Sequence, residues 1–255
     1  LPVASHIFRG NRAEKTTLLW IKDKVKKQFN VSRVITVCDR GMITDSSLLE
    51  IESKNDGYIT ALKRRRCHEI QPLLEKDASL FTPIKTDKEG NVLLKAEEAE
   101  KEGGKRRIVV YNPSKAEEEK KKRKDIIREL EKELIELSDA VKKGEKKSAK
   151  NIITSAEKIL NRKNGKRYFN YDCKKEGDFQ YSLNEKGLAM EEKLDGKFVI
   201  KTTEQNLSLE QIVFGYKDLM DIEDGFRDLK DFIKVAPVYH WRYRRVKAHI
   251  FICIL

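Results

Sequence analysis

Two carboxylates stand in patterns that suit phosphoryl-transfer chemistry. Glu223 lies seven residues after Tyr216 and seven before Lys230. Because side chains seven apart lie on one side of an α-helix, this spacing predicts that the three groups share a face. Far upstream, Asp39 follows the apolar run 34–38. Acids that converge from a strand end and a helix are what a Mg²⁺ site requires, since Mg²⁺ prefers oxygen and takes few protein ligands.

Each of these acids also has an ordinary structural explanation. The sequence Asp39-Arg40-Gly41 is a common exit from a strand, because Asp caps a turn and Gly accepts positive φ. Glu223 and Arg227 are four residues apart, which fits a surface ion pair worth about 0.3–0.5 kcal/mol. A functional interpretation therefore depends on considering the two segments together.

Composition favours a polyanionic partner. The 255 residues carry a net charge of +12, which favours nucleic acid, although a solvated basic surface also explains the charge. Four cysteines without a Cys-x-x-Cys pair argue against zinc and predict a reducing compartment. No secretory signal or membrane-length apolar run is visible, so we expect a cytoplasmic protein with no membrane partner. Because the sequence starts at Leu1 and stops inside the apolar run 250–255, we expect a fragment of a longer chain.

The elements that must position the acids alternate in the first part of the chain, residues 1–62. The predicted elements are strands at 1–8, 34–38 and 58–62 and helices at 13–29 and 46–53. This succession is typical of an α/β sheet, in which binding sites lie beyond the carboxyl ends of strands. Asp39 has that position. Trp20, on the first helix, is predicted to be a core residue.

The middle part, residues 63–197, has a different pattern. A long helix is predicted to begin with a capping box of Ser114 and Glu117 and to end at Gly144. Its apolar residues follow a three-four spacing. These are Ile127, Leu130, Leu134, Leu137 and Val141. Such a stripe fits a coiled-coil seam, but we favour packing within its own domain. The charged run 117–124 is predicted to be a solvated helix face, and residues 168–200 several short strands.

The last part, residues 198–255, is predicted to be mostly helical. Ser208 and Gln211 form a second capping box, which starts a helix that runs to about residue 234 and carries Tyr216 and Glu223. A final helix is predicted near residue 240. The segment 239–249 interleaves aromatics with cations. We expect its arginines to contact DNA and its first two large aromatics to pack inward. The arginines are Arg242, Arg244 and Arg245, and the aromatics are Tyr239 and Trp241.

Taken together, these segments resemble the insertion-sequence DDE transposases, in the IS-four-like group with the Y-x2-R-x3-E-x6-K signature. Tyr216, Glu223 and Lys230 match that signature in residue type and spacing. Residues 34–41 are similar to the strand that carries the family's second Asp. The segments 1–3 and 10–14 resemble the stretch between the first and second Asp, and 226–230, 237–240 and 245–250 resemble the ending of one transposase subgroup.

This resemblance implies a ribonuclease-H-like mixed sheet with helices, interrupted by a large α+β insertion domain. The core would comprise residues 1–62 and 198–255, and the insertion residues 63–197. The implied activity is Mg²⁺-dependent cleavage at transposon ends followed by strand transfer, with two Mg²⁺ ions that Mn²⁺ can replace. The implied partners are double-stranded DNA, as transposon ends and target, and a second copy of the chain. The implied location is the bacterial or archaeal cytoplasm, at the nucleoid when bound.

The resemblance also implies roles for single residues. The catalytic metal ligands would be Asp39 and Glu223. The DNA backbone would be gripped by Tyr216 and Lys230, with Arg227 and Arg40 as further candidates for phosphate contact.

Two departures from the signature limit the activity that is expected. Leu219 stands where the signature has Arg, and the family's first Asp has no counterpart in the pattern. We therefore predict that this polypeptide alone does not cleave DNA. Two alternatives stay open: a non-catalytic DNA-binding or dimer-forming transposase remnant, and a basic scaffold protein whose matches are fortuitous.

Overall fold

The computed structural model describes most of the chain. The described residues are 6–8, 17–39, 43–62, 64, 70–145, 148–231 and 238–254. Within these ranges, side chains are not described for residues 100, 102, 220, 221, 223, 224, 226–231 and 254. Most of the strand predicted at 1–8 and the first residues of the helix predicted at 13–29 lie outside the described residues.

Eight α-helices, eight strands and two short 3-10 helices, Ala78–Leu80 and Arg162–Arg167, form the described structure. The helices are α1 (Leu18–Phe29), α2 (Asp45–Ser53), α3 (Gln71–Leu74), α4 (Pro113–Lys142), α5 (Ala149–Asn161), α6 (Glu185–Leu194), α7 (Leu209–Asp231) and α8 (Tyr243–Ile254). The strands are β1 (Ile35–Cys38), β2 (Gly57–Ala61), β3 (Thr82–Thr86), β4 (Val92–Glu102), β5 (Lys105–Tyr111), β6 (Phe169–Asp172), β7 (Gln180–Leu183) and β8 (Lys197–Thr202). Among the described residues, no helix is both long enough and apolar enough to cross a bilayer.

Six of the strands form one mixed sheet in the order β1-β2-β8-β5-β4-β3, and β6 pairs with β7 in a small second sheet. Strand β1 is parallel to β2, whereas β2 is antiparallel to β8. The predicted α/β class is therefore confirmed. The finer expectation of a ribonuclease-H-like sheet stays a prediction.

The chain divides into two compact units. The first comprises Leu1–Cys67, Ala96–Val109 and Val199–Leu255, and the second comprises His68–Lys95 and Val110–Phe198. The domain boundaries predicted from sequence, at residues 62 and 197, stay a prediction.

In the first unit, helices cover both faces of the β1-β2 pair. Tyr58 packs with Leu48 and Ile51 of α2. The next residue, Ile59, faces α7, where a Cβ added to Gly215 would lie 3.7 Å from the Ile59 Cδ1 atom. Because successive strand residues point to opposite faces, α2 and α7 lie on opposite sides of β2. This double covering explains why β1 and β2 have apolar sequences with little alternation.

A buried ion cluster fixes α1 to the amino ends of these strands. Lys22 Nζ lies 2.6 Å from Asp56 Oδ2, and Lys26 Nζ lies 2.8 Å from Oδ1. The backbone N–H of Val34 donates to the same carboxylate at 3.1 Å. Burial alone would raise the pKa of Asp56, but the hydrogen bonds from the two lysines and the backbone N–H outweigh burial and lower it to about 2. Both oxygens of the Asp56 carboxylate are thus occupied by contacts that stabilise the fold.

The second unit has its own core beneath α4. Four residues of the predicted stripe are buried there and Ile127 is partly buried, together with residues of α5, β6 and the loop before β7. This confirms that the stripe packs within its own domain. Helix α4 begins earlier than predicted, however. Its N-cap is Asn112, whose side chain accepts the Lys115 N–H at 3.0 Å, so Ser114 lies inside the first turn. Pro113 at the first helical position supports this start, because it lacks an N–H that would need a partner.

Two further expectations for the second unit are confirmed only in part. Strands β6 and β7 lie in the region 168–200, as predicted. Residues 185–194 form helix α6 in a region predicted as strands, because Asn184 caps it by accepting the Gly187 N–H at 3.0 Å. The run 117–124 is also not wholly solvated. Arg123 is buried and donates to both oxygens of Asp195 at 2.6 Å, which raises the pKa of the guanidinium.

Candidate functional site

The fold brings together Asp39 and Tyr216, which are 177 residues apart in sequence. The Tyr216 hydroxyl donates to Asp39 Oδ1 at 3.4 Å, the long end of the hydrogen-bond range. Tyr216 is only 7% exposed, and Asp39 is partly exposed just past the end of β1. A carboxylate at the carboxyl edge of a strand, held by a buried phenol, has the position at which α/β proteins bind ligands.

The contacts at the start of α7 show which way this helix runs. The two terminal guanidinium nitrogens of Arg33 donate to the Glu204 carboxylate, so the chain before α7 lies beside a residue two positions before β1. Twelve residues later, Tyr216 reaches Asp39, the residue after β1. Helix α7 therefore runs in the direction of β1. The Cα of Glu223 lies two turns further, about 10.5 Å along the axis past Tyr216.

The connection that leads into α7 is held by a second arginine. Arg106 donates to the backbone carbonyls of Glu204 and Leu207 at 2.9 and 2.7 Å, and its other nitrogens bind both oxygens of Glu98. The predicted capping box of Ser208 and Gln211 is confirmed, since each side chain binds the other's backbone N–H. These bonds fix where the helix begins, and so where Tyr216 lies.

Arg106 was not singled out from the sequence, although a signal was present. Its position alternates with those of Ile108 and Val110, which are fully buried, so the strand period places the guanidinium on the inward face. A charged residue in that pattern requires bonded partners. The pattern does not say that those partners are carbonyls of a connection about 100 residues later.

The described residues do not by themselves form a magnesium site. Among them, no group of three or more His, Cys, Asp or Glu side chains is arranged to hold a metal ion. One carboxylate and one phenol are too few ligands for Mg²⁺, which needs oxygens in near-octahedral geometry. Glu223, the second predicted ligand, lies on α7, but its side chain is outside the described residues, so no catalytic step is assigned to a metal here.

Cys38, directly before Asp39, is not a second functional group at this edge. It is almost fully buried. Burial raises the pKa of its thiol to about 11, so the thiol stays protonated near neutral pH. Only a thiolate acts as a strong nucleophile or metal ligand.

The remaining predicted DNA contacts fall into two sets. Arg40 lies outside the described residues, as do the side chains of Arg227 and Lys230. Arg242, Arg244 and Arg245 are described and exposed, at the start of α8 and just before it. Within the described structure, none of these last three pairs with a carboxylate. Leu219, which replaces the signature's Arg, is partly buried.

Three aromatic residues are not where the sequence predicted. Trp241 and Tyr239, expected to pack inward, are 95% and 88% exposed. The expectation assumed a helix with one inward face, but residues 238–241 precede α8 and have no such face. Trp20 is 40% exposed and contacts the rings of His6 and Phe8.

Comparisons of the chain with protein-family models, with curated proteins and with solved structures give no match.

Proposed function

We propose that this chain is part of the catalytic core of a DDE-type DNA transposase, a class of enzyme that cuts and joins DNA strands by metal-dependent phosphoryl transfer, and that the chain alone does not cleave DNA. The contact between Tyr216 and Asp39 is the observation that supports this proposal most strongly. It links the aromatic residue of the Y-E-K pattern to the strand-end acid, across 177 residues of sequence. Chance matches in unrelated segments have no reason to meet at one sheet edge.

In this proposal, Asp39 and Glu223 are the acids that hold Mg²⁺. When bound, the metal would activate the attacking hydroxyl and stabilise the leaving oxygen. The geometry suits an orienting role for Tyr216, because its hydroxyl is engaged with Asp39 and its ring is buried. This differs from the DNA-backbone contact that the resemblance implies. Arg227 and Lys230, about one and two turns beyond Glu223 along α7, would hold the phosphates of the cut strand.

A non-catalytic DNA-binding remnant is the second candidate. The observation that favours it is Leu219, which stands where the signature has Arg and so removes one expected phosphate contact. Both candidates share a basic surface, with a net charge of +12 and exposed arginines near α8. They differ in whether Asp39 and Glu223 lie beside bound DNA with a shared cation.

Duplex binding with and without Mg²⁺ tests the difference. Two carboxylates beside the DNA backbone repel phosphates unless a cation lies between them. We therefore expect Mg²⁺, added at constant ionic strength, to strengthen binding of a labelled duplex by about tenfold, which corresponds to about 1.4 kcal/mol. In Asp39→Asn and Glu223→Gln, binding without metal should be tighter than in the parent and should no longer respond to Mg²⁺.

Asp218→Asn provides the matched control, because Asp218 is an exposed acid on the same helix. It should respond to Mg²⁺ as the parent does. Equal responses in the parent, Asp39→Asn and Glu223→Gln would contradict the enzyme proposal and favour the remnant.

A further inference from the structure

Tyr239 and Trp241 are presented to solvent to an unusual degree. Large aromatic side chains are usually well buried, yet these two are 88% and 95% exposed. They are two positions apart, so their Cα atoms are at most about 7 Å from each other. The two rings are therefore close enough to meet neighbouring groups of one ligand.

The segment that carries them is held against α8. The ring of His240, between the two aromatics, lies 5.9 Å from the ring of His249 in an edge-to-face arrangement. The backbone N–H groups of Arg245 and Val246 donate to the carbonyl of Arg242, which closes the first turn of α8. These contacts fix the backbone on both sides of Trp241 without covering its ring.

The surroundings of the two rings are positively charged. Arg242, Arg244, Arg245 and Lys247 are all exposed, and residues 232–255 contain no Asp or Glu. The Lys247 ammonium lies 4.6 Å from the centre of the Tyr243 ring, whereas no described carboxylate forms an ion pair with the three arginines. This surface thus combines bare aromatic faces with cations that no described acid neutralises.

We propose that this aromatic-arginine surface, formed by Tyr239, Trp241, Arg242, Arg244 and Arg245, binds unpaired nucleotides of a single DNA strand. The rings stack on bases, and the arginines contact the phosphates between them. Sequence-tolerant single-strand binding uses this combination, because every base has a π-face and every linkage a negative charge. In a duplex the base faces are covered by stacking on neighbouring bases, so the exposed rings would add nothing to the binding of a duplex. This site does not depend on Asp39, Glu223 or a metal.

Fluorescence anisotropy of a labelled 20-nucleotide thymidine strand, in EDTA, tests this proposal on the full chain. Loss of one stacked base contact weakens binding by about tenfold to a hundredfold. We expect Trp241→Ala to lose this much affinity for the single strand and to stay within about twofold of the parent on a 20-base-pair duplex. Trp241→Phe should keep most of the single-strand affinity. Trp20→Phe, at the chain's other tryptophan, should bind both as the parent does.

A second variant and a second signal separate stacking from charge. Arg244→Gln with Arg245→Gln should weaken both single-strand and duplex binding and reduce their salt dependence. In Trp20→Phe, where Trp241 is the only tryptophan, the single strand should quench the remaining fluorescence and the duplex should not. The proposal is overturned if Trp241→Ala binds the single strand as tightly as the parent, or if strand and duplex quench equally.

Discussion

At the scale of residues, the two ends of the β1-β2 pair use acids differently. Asp56, at the amino ends, is buried between Lys22 and Lys26, and its charge is neutralised within the fold. Asp39, at the carboxyl end, is partly exposed, and its described side-chain partner is the uncharged hydroxyl of Tyr216. The carboxylate that remains able to take a ligand is therefore Asp39.

Asp56→Asn should destabilise the first unit by about 3–5 kcal/mol, because it leaves Lys22 buried without its counter-charge. The effect should also depend on pH. Since the pKa of Asp56 falls from 3.8 to about 2 on folding, its ionisation stabilises the protein above about pH 4. That stabilisation is lost as the pH falls through 2. Chemical denaturation of parent and variant between pH 2 and 7 measures both effects.

Asp23→Asn is the control on the same helix. Asp23 pairs with the exposed Lys54 at 3.0 Å and lies 3.9 Å from Lys22, but the Asp23 side chain is well exposed, so this change should cost less than about 1 kcal/mol. If the Asp56 variant is as stable as the Asp23 variant or more stable, the buried cluster does not hold α1 in place.

At the scale of elements, the position of α7 depends on contacts that the chain makes before the first turn of the helix. Arg106 and Arg33 fix the connection at 203–208, and the capping box then starts the helix. Ile212 and Val213 are buried, and a Cβ at Gly215 would only touch Ile59. The position of Tyr216 is thus set by contacts made more than two turns earlier.

Arg106→Lys should weaken the hydrogen bonds that hold this connection. Lysine keeps the charge but lacks the planar fork that serves Glu98 and two carbonyls at once. We expect a loss of about 2–3 kcal/mol, together with faster hydrogen exchange of the amides of residues 209–216. Arg128→Lys, at an exposed position on α4, should change stability by less than about 0.5 kcal/mol. Unchanged exchange in α7 would contradict the role given to Arg106.

The predictability of these elements follows the kind of interaction that forms them. Local patterns were enough to predict β1, β2, the buried stripe of α4 and the cap of α7. Each of these features is determined by the periodic burial of its own residues or by two side chains three positions apart. Helix α6 was missed because its ten residues are few and carry a weak period beside Gly187. The partners of Arg106 and Asp56 come from distant segments, and no local pattern names them.

At the scale of the whole chain, a long stretch of sequence separates the two acids. Most of it forms the second unit, which has its own core of α4 and α5 residues. From the change in pattern after residue 62, the sequence predicts boundaries at residues 62 and 197, and these stay a prediction. It did not predict that residues 96–109 group with the first unit, because a strand's partners are set by tertiary pairing and not by its own residues.

Iron-mediated cleavage of the polypeptide can show whether Asp39 and Glu223 hold one cation. Fe²⁺ bound in place of Mg²⁺, with ascorbate and peroxide, generates radicals that cut only the backbone near the ion. We expect fragments that end near residues 39 and 223, both suppressed by excess Mg²⁺ and both lost in Asp39→Asn and in Glu223→Gln. Cuts elsewhere, or cuts near residue 39 that persist in Glu223→Gln, would show that the two acids do not hold one cation.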